Sequence, residues 1–213
     1  MRTIFYALAG AAAVAMSPAA NAAVTISFDG GTGGLGSTET SFATFSPGST
    51  GGVILGPNVI IQSGSDGNGA DPAVGGQGDP YLSVLGGGTA NFVFDGLTQL
   101  GLDYGSADSF NSFIVSLADG TSQTFTGSDI VSVGTADGDQ SSVRTNGRLT
   151  FFAGDGPAIT GLTLLSGGNS LEVDNFGVTS AVPEPATWGM MLLGFGAMGV
   201  SLRNRKRRVI QAA

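Results

Sequence analysis

The chain has 213 residues, 37 of them glycine, and contains neither cysteine nor histidine. That excludes a disulfide framework, a Cys/His zinc site, a thiol nucleophile and any His-centred triad, leaving packing or bound ions to stabilise the fold. The net charge of −8 is unevenly spread, because the stretch from Asp29 to Glu184 holds all 16 acids against only Arg144 and Arg148, a net −14, while the ends carry +1 and +5. A body this acidic is repelled by phosphate backbones, so no nucleic-acid partner is expected.

At the start, Arg2 precedes an apolar run from Ile4 to Met16 that leads into Ala20-Asn21-Ala22. A basic residue, a short apolar core and an A-x-A pattern read as a secretory signal peptide over residues 1–22, cut by signal peptidase between Ala22 and Ala23. The run is too short to span a bilayer, which takes about 20 apolar residues.

From 23 to 181 the chain alternates short apolar runs with glycine-rich turns and shows no helical periodicity, so strands are the regular element expected. The runs lie at 24–28, 53–55, 59–61, 81–85, 90–94, 97–102, 113–117, 130–133, 149–152, 159–165 and 171–178. Asp119-Gly120, Asn146-Gly147, Asp155-Gly156-Pro157 and Gly167-Gly168-Asn169 mark turns between them. The expectation is an all-β body, an antiparallel β-sandwich of jelly-roll type, with residues 32–78 as loops along one edge.

Within that loop region, Gly31-Thr32-Gly33-Gly34-Leu35-Gly36 fits the phosphate-cradling G-x-G-x-x-G pattern, but no helix follows and no acid lies about twenty residues on. Asp66, Asn68 and Asp71 place three oxygen ligands in one flexible stretch, the chemistry Ca²⁺ accepts, although the spacing is not that of an EF-hand. Asp137-Gly138-Asp139 is a second acidic turn. These residue types also form turns for backbone reasons alone, and both readings stand at this point. Apart from the possible Ca²⁺, no cofactor is called for.

Sugar stacking needs exposed aromatics, and Tyr104 and Phe110, which bracket a polar loop, are the pair selected, with Tyr81 a further candidate. Glu39 and Glu172 are the only glutamates of the body. Nothing marks any acid pair as the two carboxylates of a glycosidase, so no enzyme and no catalytic residue are expected. Glu172 and Asp174 would share one face of a strand.

The far end is tripartite: Val182-Pro183-Glu184-Pro185, a 17-residue uncharged stretch over 186–202 that opens near Trp188, and a basic cluster of Arg203, Arg205, Lys206, Arg207 and Arg208. At ~1.5 Å per residue the apolar stretch just reaches across a bilayer as a transmembrane helix, with its basic flank on the cytoplasmic side and the body outside.

This end resembles the PEP-CTERM signal of exosortase-sorted surface proteins, found in exopolysaccharide-producing Gram-negative bacteria. Pro183-Glu184-Pro185-Ala186-Thr187-Trp188-Gly189-Met190-Met191 is close to a Pro-Glu-Pro-x-x-Trp-Ala-Met-Met subtype and departs from it at Gly189. The same tail is also labelled an ice-binding protein C-terminal domain, although the body offers only one Thr-x-Thr, at Thr124-Phe125-Thr126. Segments 103–111 and 171–178 are similar to other members of the group, and the second, a closing strand with Asp174-Asn175 in it, is similar to the last strand of several jelly-roll surface and carbohydrate-binding modules. The resemblance implies a sorting tag over 182–208 and transient anchoring in the inner membrane. A transpeptidase-like exosortase would then cut near Glu184 and deliver the body to the cell surface or extracellular matrix. A structural or adhesive role in exopolysaccharide follows as the expectation, beside a calcium-assisted glycan-binding module and a glycan-active enzyme.

Overall fold

The computed structural model describes residues 23–43, 45, 53–75, 78–131, 133–181, 189 and 191–199. The signal-peptide residues Ala20 and Ala22, the Pro183-Glu184-Pro185 motif with Trp188, and the basic cluster from Arg203 to Arg208 lie outside them, and Ala23 is the first residue described. Residues 191–199 are helical with exposed side chains, Leu192, Leu193 and Phe195 among them. Among the described residues no helix is long and apolar enough to cross a membrane.

Among the described residues the body is an antiparallel β-sandwich of eleven strands. They are β1 (Thr25–Gly30), β2 (Thr40–Ala43), β3 (Val53–Leu55), β4 (Val59–Gln62), β5 (Tyr81–Val84), β6 (Thr89–Gly105), β7 (Asn111–Leu117), β8 (Ser122–Thr126), β9 (Gly147–Phe152), β10 (Ile159–Ser166) and β11 (Leu171–Ser180). Strand β6 organises both layers. Its first half pairs with β3 and β10, and through β10 with β7 and β8. Its second half pairs with β11 and β9, which continue to β5 and β4, to β2, and to β1. The change of layer falls at Asp95-Gly96, where Gly96 takes φ +101°.

Alternation explains which side chains enter the core. In β7, Phe113, Val115 and Leu117 point inward while Ser112, Ile114 and Ser116 point away. The layers meet through aromatic contacts. Phe92 of β6 stacks on Phe176 of β11 at 4.6 Å between centroids, and Tyr104 meets Phe113 edge-on at 4.9 Å.

Three details differ from the sequence expectation. The runs at 90–94 and 97–102 are one strand, because the Asp95-Gly96 turn signal bends the chain without ending it. Of the run at 130–133, Ile130, Val131 and Val133 lie in no strand. A capping box between Thr126 and Asp129 instead starts a short helix, α1 (Gly127–Ile130), which buries Ile130. Residues 32–78, expected as edge loops, hold β3 and β4 at the runs 53–55 and 59–61 and add β2, and Gly34, Asn68 and Gly75 of their loops lie over the outer face of the β5–β11–β6–β9 sheet.

That outer face is polar and buried. Arg148 of β9 donates to Asp103 Oδ1 of β6 at 3.0 Å and forms an ion pair with Glu39 of the 31–39 loop. It also donates to the carbonyl of Asn175 at 2.6 Å. Asp103 Oδ2 accepts from the Gly34 amide and from Asn175 Nδ2, each at 2.8 Å. A bulge at Asn175, with φ +47°, aims that side chain, which also donates to the Gly75 carbonyl at 2.8 Å. Gly101 and Gly177 are register partners beneath this cluster, and a Cβ on either would collide with Glu39 and Arg148.

Removing one partner of a buried ion pair leaves the others charged and unpaired, at a cost of ~3–5 kcal/mol. Arg148→Met is therefore expected to lower the unfolding midpoint strongly. Arg144→Met, which breaks the exposed pair with Asp137, should leave the midpoint nearly unchanged. Denaturant unfolding of both variants checks the contrast, and equal losses would remove the special standing given to Arg148.

Candidate functional site

Glu172 and Asp174 project from β11 on the side opposite Leu171 and Val173, toward the covering loops. The loop after β4 is fastened there by outward-facing polar side chains of the sheet. Tyr81 of β5 donates to the Gly64 carbonyl at 2.8 Å, and Ser83 donates to the Asn68 carbonyl at 2.6 Å. Glu172 Oε1 accepts from the Ala70 amide at 3.1 Å and from the Ser170 hydroxyl.

Between this loop and its neighbours opens a cavity of about 260 Å³, lined by the 66–70 turn, residues 106–110, the 137–140 turn and residues 169–172. Asp66, Asp108, Asp137 and Glu172 contribute to its walls, and Phe110 stands at its rim, 38% exposed. The loops are pinned by backbone bonds, Ser109 N–H to the Ala136 carbonyl and Gly138 N–H to the Ala107 carbonyl, both 3.0 Å. The Phe110 ring lies against Gly168.

The carboxyls of this face differ in their surroundings. Burial pushes Glu172 up to about 7, against opposing hydrogen bonds from Ser170 and Ala70. Burial likewise pushes Asp174 up to about 7, with Asp103, Asp79 and Asp71 adding to it. Asp108 is raised by burial and then by the charge of Asp137. Asp137 itself is lowered, chiefly by its hydrogen bond from Arg144. Glu172 Oε2 and Asp174 Oδ1 are buried and have no hydrogen-bond partner.

The expected ligand trio does not converge. Asp66 lines the cavity, but its Oδ1 accepts from the Asn68 amide at 2.7 Å, and Asp71 is turned to the Gly78 amide at 2.6 Å. Asn68 and Asp71 do not line the cavity. Among the described residues no group of three or more acids is placed to hold a metal ion. Tyr104 departs from its expected place at the surface. It is fully buried, its hydroxyl accepts from Asn111 Nδ2 at 3.0 Å, and burial raises its phenol, so it packs the core and offers no face to a sugar. Tyr81 is buried as well. Of the selected aromatic pair, Phe110 keeps an exposed face. Asp108 and Glu172 were not paired by sequence reasoning, although each lies in one of the two segments that carried the body's resemblance.

The class defined so far is a cysteine-free β-sandwich with an acidic cavity at the edge of a covered polar face. Residues 181–207 match the PEP-CTERM protein-sorting motif, so the chain carries the signal that exosortase-type systems process. The motif implies export with transient membrane anchoring, and the ice-binding label finds no support in it. No curated protein matches the chain. Among solved structures it is similar to an exo-beta-1,3-galactanase from Phanerochaete chrysosporium, with 18% identity and a TM-score of 0.37, over 67% of this chain and 29% of that one. It is also similar to a family 11 carbohydrate-binding module of a cellulosomal cellulase of Clostridium thermocellum, with 12% identity and a TM-score of 0.24, over 69% of this chain and 97% of that one. The chain thus spans 29% of the galactanase's length, and at these scores neither likeness carries a functional argument.

The raised carboxyls give stability a definite pH slope. Glu172 and Asp174 start from ordinary values of 4.5 and 3.8 and reach about 7 in the folded chain, so between these limits the folded state binds the extra protons. Stability therefore falls as pH rises from about 4.5 to about 7. Thermal unfolding without divalent cations should show a higher midpoint at pH 5 than at pH 7.5. In E172Q/D174N the slope should flatten, and an unchanged slope in that variant would remove these groups as its source.

Proposed function

We propose that this is an exported cell-surface or extracellular-matrix protein of a Gram-negative bacterium, whose β-sandwich has a noncatalytic, structural or adhesive role in exopolysaccharide. The observation that carries this reading is the sorting motif at 181–207, joined to a body with a polar, aromatic-rimmed cavity. The carboxylates of Asp66 and Asp108 are acceptors for sugar hydroxyls, and the exposed face of Phe110 can lie against a pyranose ring. The same carboxylates favour a second reading, a glycan-binding module assisted by calcium.

Processing near Glu184 is tested by mass spectrometry of the mature C-terminus. Cells with an exosortase should yield a body that ends near Glu184, and a protein still ending at Ala213 would contradict the reading.

Adhesion is tested by retention on the host's own exopolysaccharide. Phe110→Ala should weaken it about fivefold, the factor given by a lost aromatic contact of about 1 kcal/mol. Unchanged retention would take the cavity out of the account, and clearing of polysaccharide in a zymogram would replace adhesion with hydrolysis.

A further inference from the structure

The cavity beside Glu172 has an electrostatic imbalance that the adhesive reading does not use. Four carboxylates line it and no basic side chain does. Two of them are answered locally, Asp137 by Arg144 at 3.0 Å and Asp66 by the Asn68 amide at 2.7 Å. Among the described residues neither Asp108 nor Glu172 forms an ion pair. Glu172 is 3% exposed, lines the cavity, and leaves Oε2 without a partner. A buried carboxylate with a bare oxygen must take up a proton or a cation, and the cavity that Glu172 lines also carries the Asp108 carboxylate, whose charge acts on Glu172.

We propose that this cavity binds Ca²⁺, with Glu172 Oε2 and the Asp108 carboxylate as its anionic ligands and neutral oxygens completing the shell. Ser106 and Gln140 stand on the same walls and supply such oxygens. The donor set selects the ion: without histidine or cysteine in the chain it is all oxygen, which suits a hard cation. Ca²⁺ takes about 6–8 oxygens in flexible geometry, whereas Mg²⁺ demands a near-ideal octahedron. Two carboxylates, rather than a cage of three or more, put the affinity in the range of extracellular calcium modules, Kd ~10⁻⁴–10⁻³ M. This is a different ligand set from Asp66, Asn68 and Asp71. It also goes beyond the adhesive reading, since its readout is the metal alone and loss of glycan retention would leave it standing.

The test is thermal unfolding of the full chain, kept in mild detergent at pH 7.5, after chelation and then with calcium chloride. At calcium ~100-fold above Kd the midpoint should rise by roughly 5–10 °C and return on adding chelator. E172Q and D108N should each lose most of the rise, while D155N, at an exposed turn, should keep it. The two variants lie on different elements, so one remains informative if the other fails to fold, and calorimetric titration of the unaltered chain with calcium gives a direct measure. No rise in the unaltered chain, or a full rise in either E172Q or D108N, would overturn the proposal.

Discussion

The guanidinium of Arg148, buried between Glu39 and Asp103, is the contact on which the covered half of the molecule depends. An antiparallel sheet of this kind can leave its outer face to water. Here that face carries Asp103, Glu172 and Asp174, and loops close over it. Closure is possible because one cation draws Glu39 from the first loop onto Asp103 of the sheet, while Asn175 ties the second loop to the same carboxylate. The register-paired glycines 101 and 177 leave the space in which this happens. A buried ion cluster of this type contributes less to stability than its Coulomb energy implies, but it admits few alternative partners, and so it fixes which loop lies where.

The same charge arithmetic explains the cavity. Arg148 answers Glu39 and Asp103 on the outer face, while Glu172 and Asp174, the latter opposite Asp103 in register, face covering loops without a counterion of their own. Burial raises their proton affinity, and with no cation to offset it their bare oxygens stay unanswered. An acidic chain with two basic residues in its body has no further cation of its own to place there.

The sandwich was legible because its inward residues alternate so regularly, as in Phe113, Val115 and Leu117. Chain punctuation was less legible. Asp95-Gly96 and Thr126-Gly127 carry turn-forming residues in both cases, yet one bends a strand and the other opens a helical turn, a difference decided by the Thr126–Asp129 capping pair and by pairing across β6. The shared face of Glu172 and Asp174 could be read from their spacing, but their burial could not, since it is created by a loop over a hundred residues earlier in the chain. Tyr104 was misplaced for a related reason. A tyrosine beside a polar loop looks exposed until a buried partner for its hydroxyl, Asn111, is known. One of two arginines in an acidic body, at the start of a strand-forming run, was the available sign of the Arg148 cluster.

The order of strands also has a mechanical side. The chain enters its sorting motif directly from the end of β11, so while the protein is held by that tag, any drag on the body is transmitted through this strand. β11 is bonded to β6 along one edge and to β5 and β2 along the other. A pull along it loads those hydrogen bonds together in shear instead of opening them one at a time. Strand β6, the first neighbour to take the load, continues into the opposite layer, so the force spreads into both sheets. The attachment point is thus a strand held along both edges, an arrangement that resists being peeled away by flow.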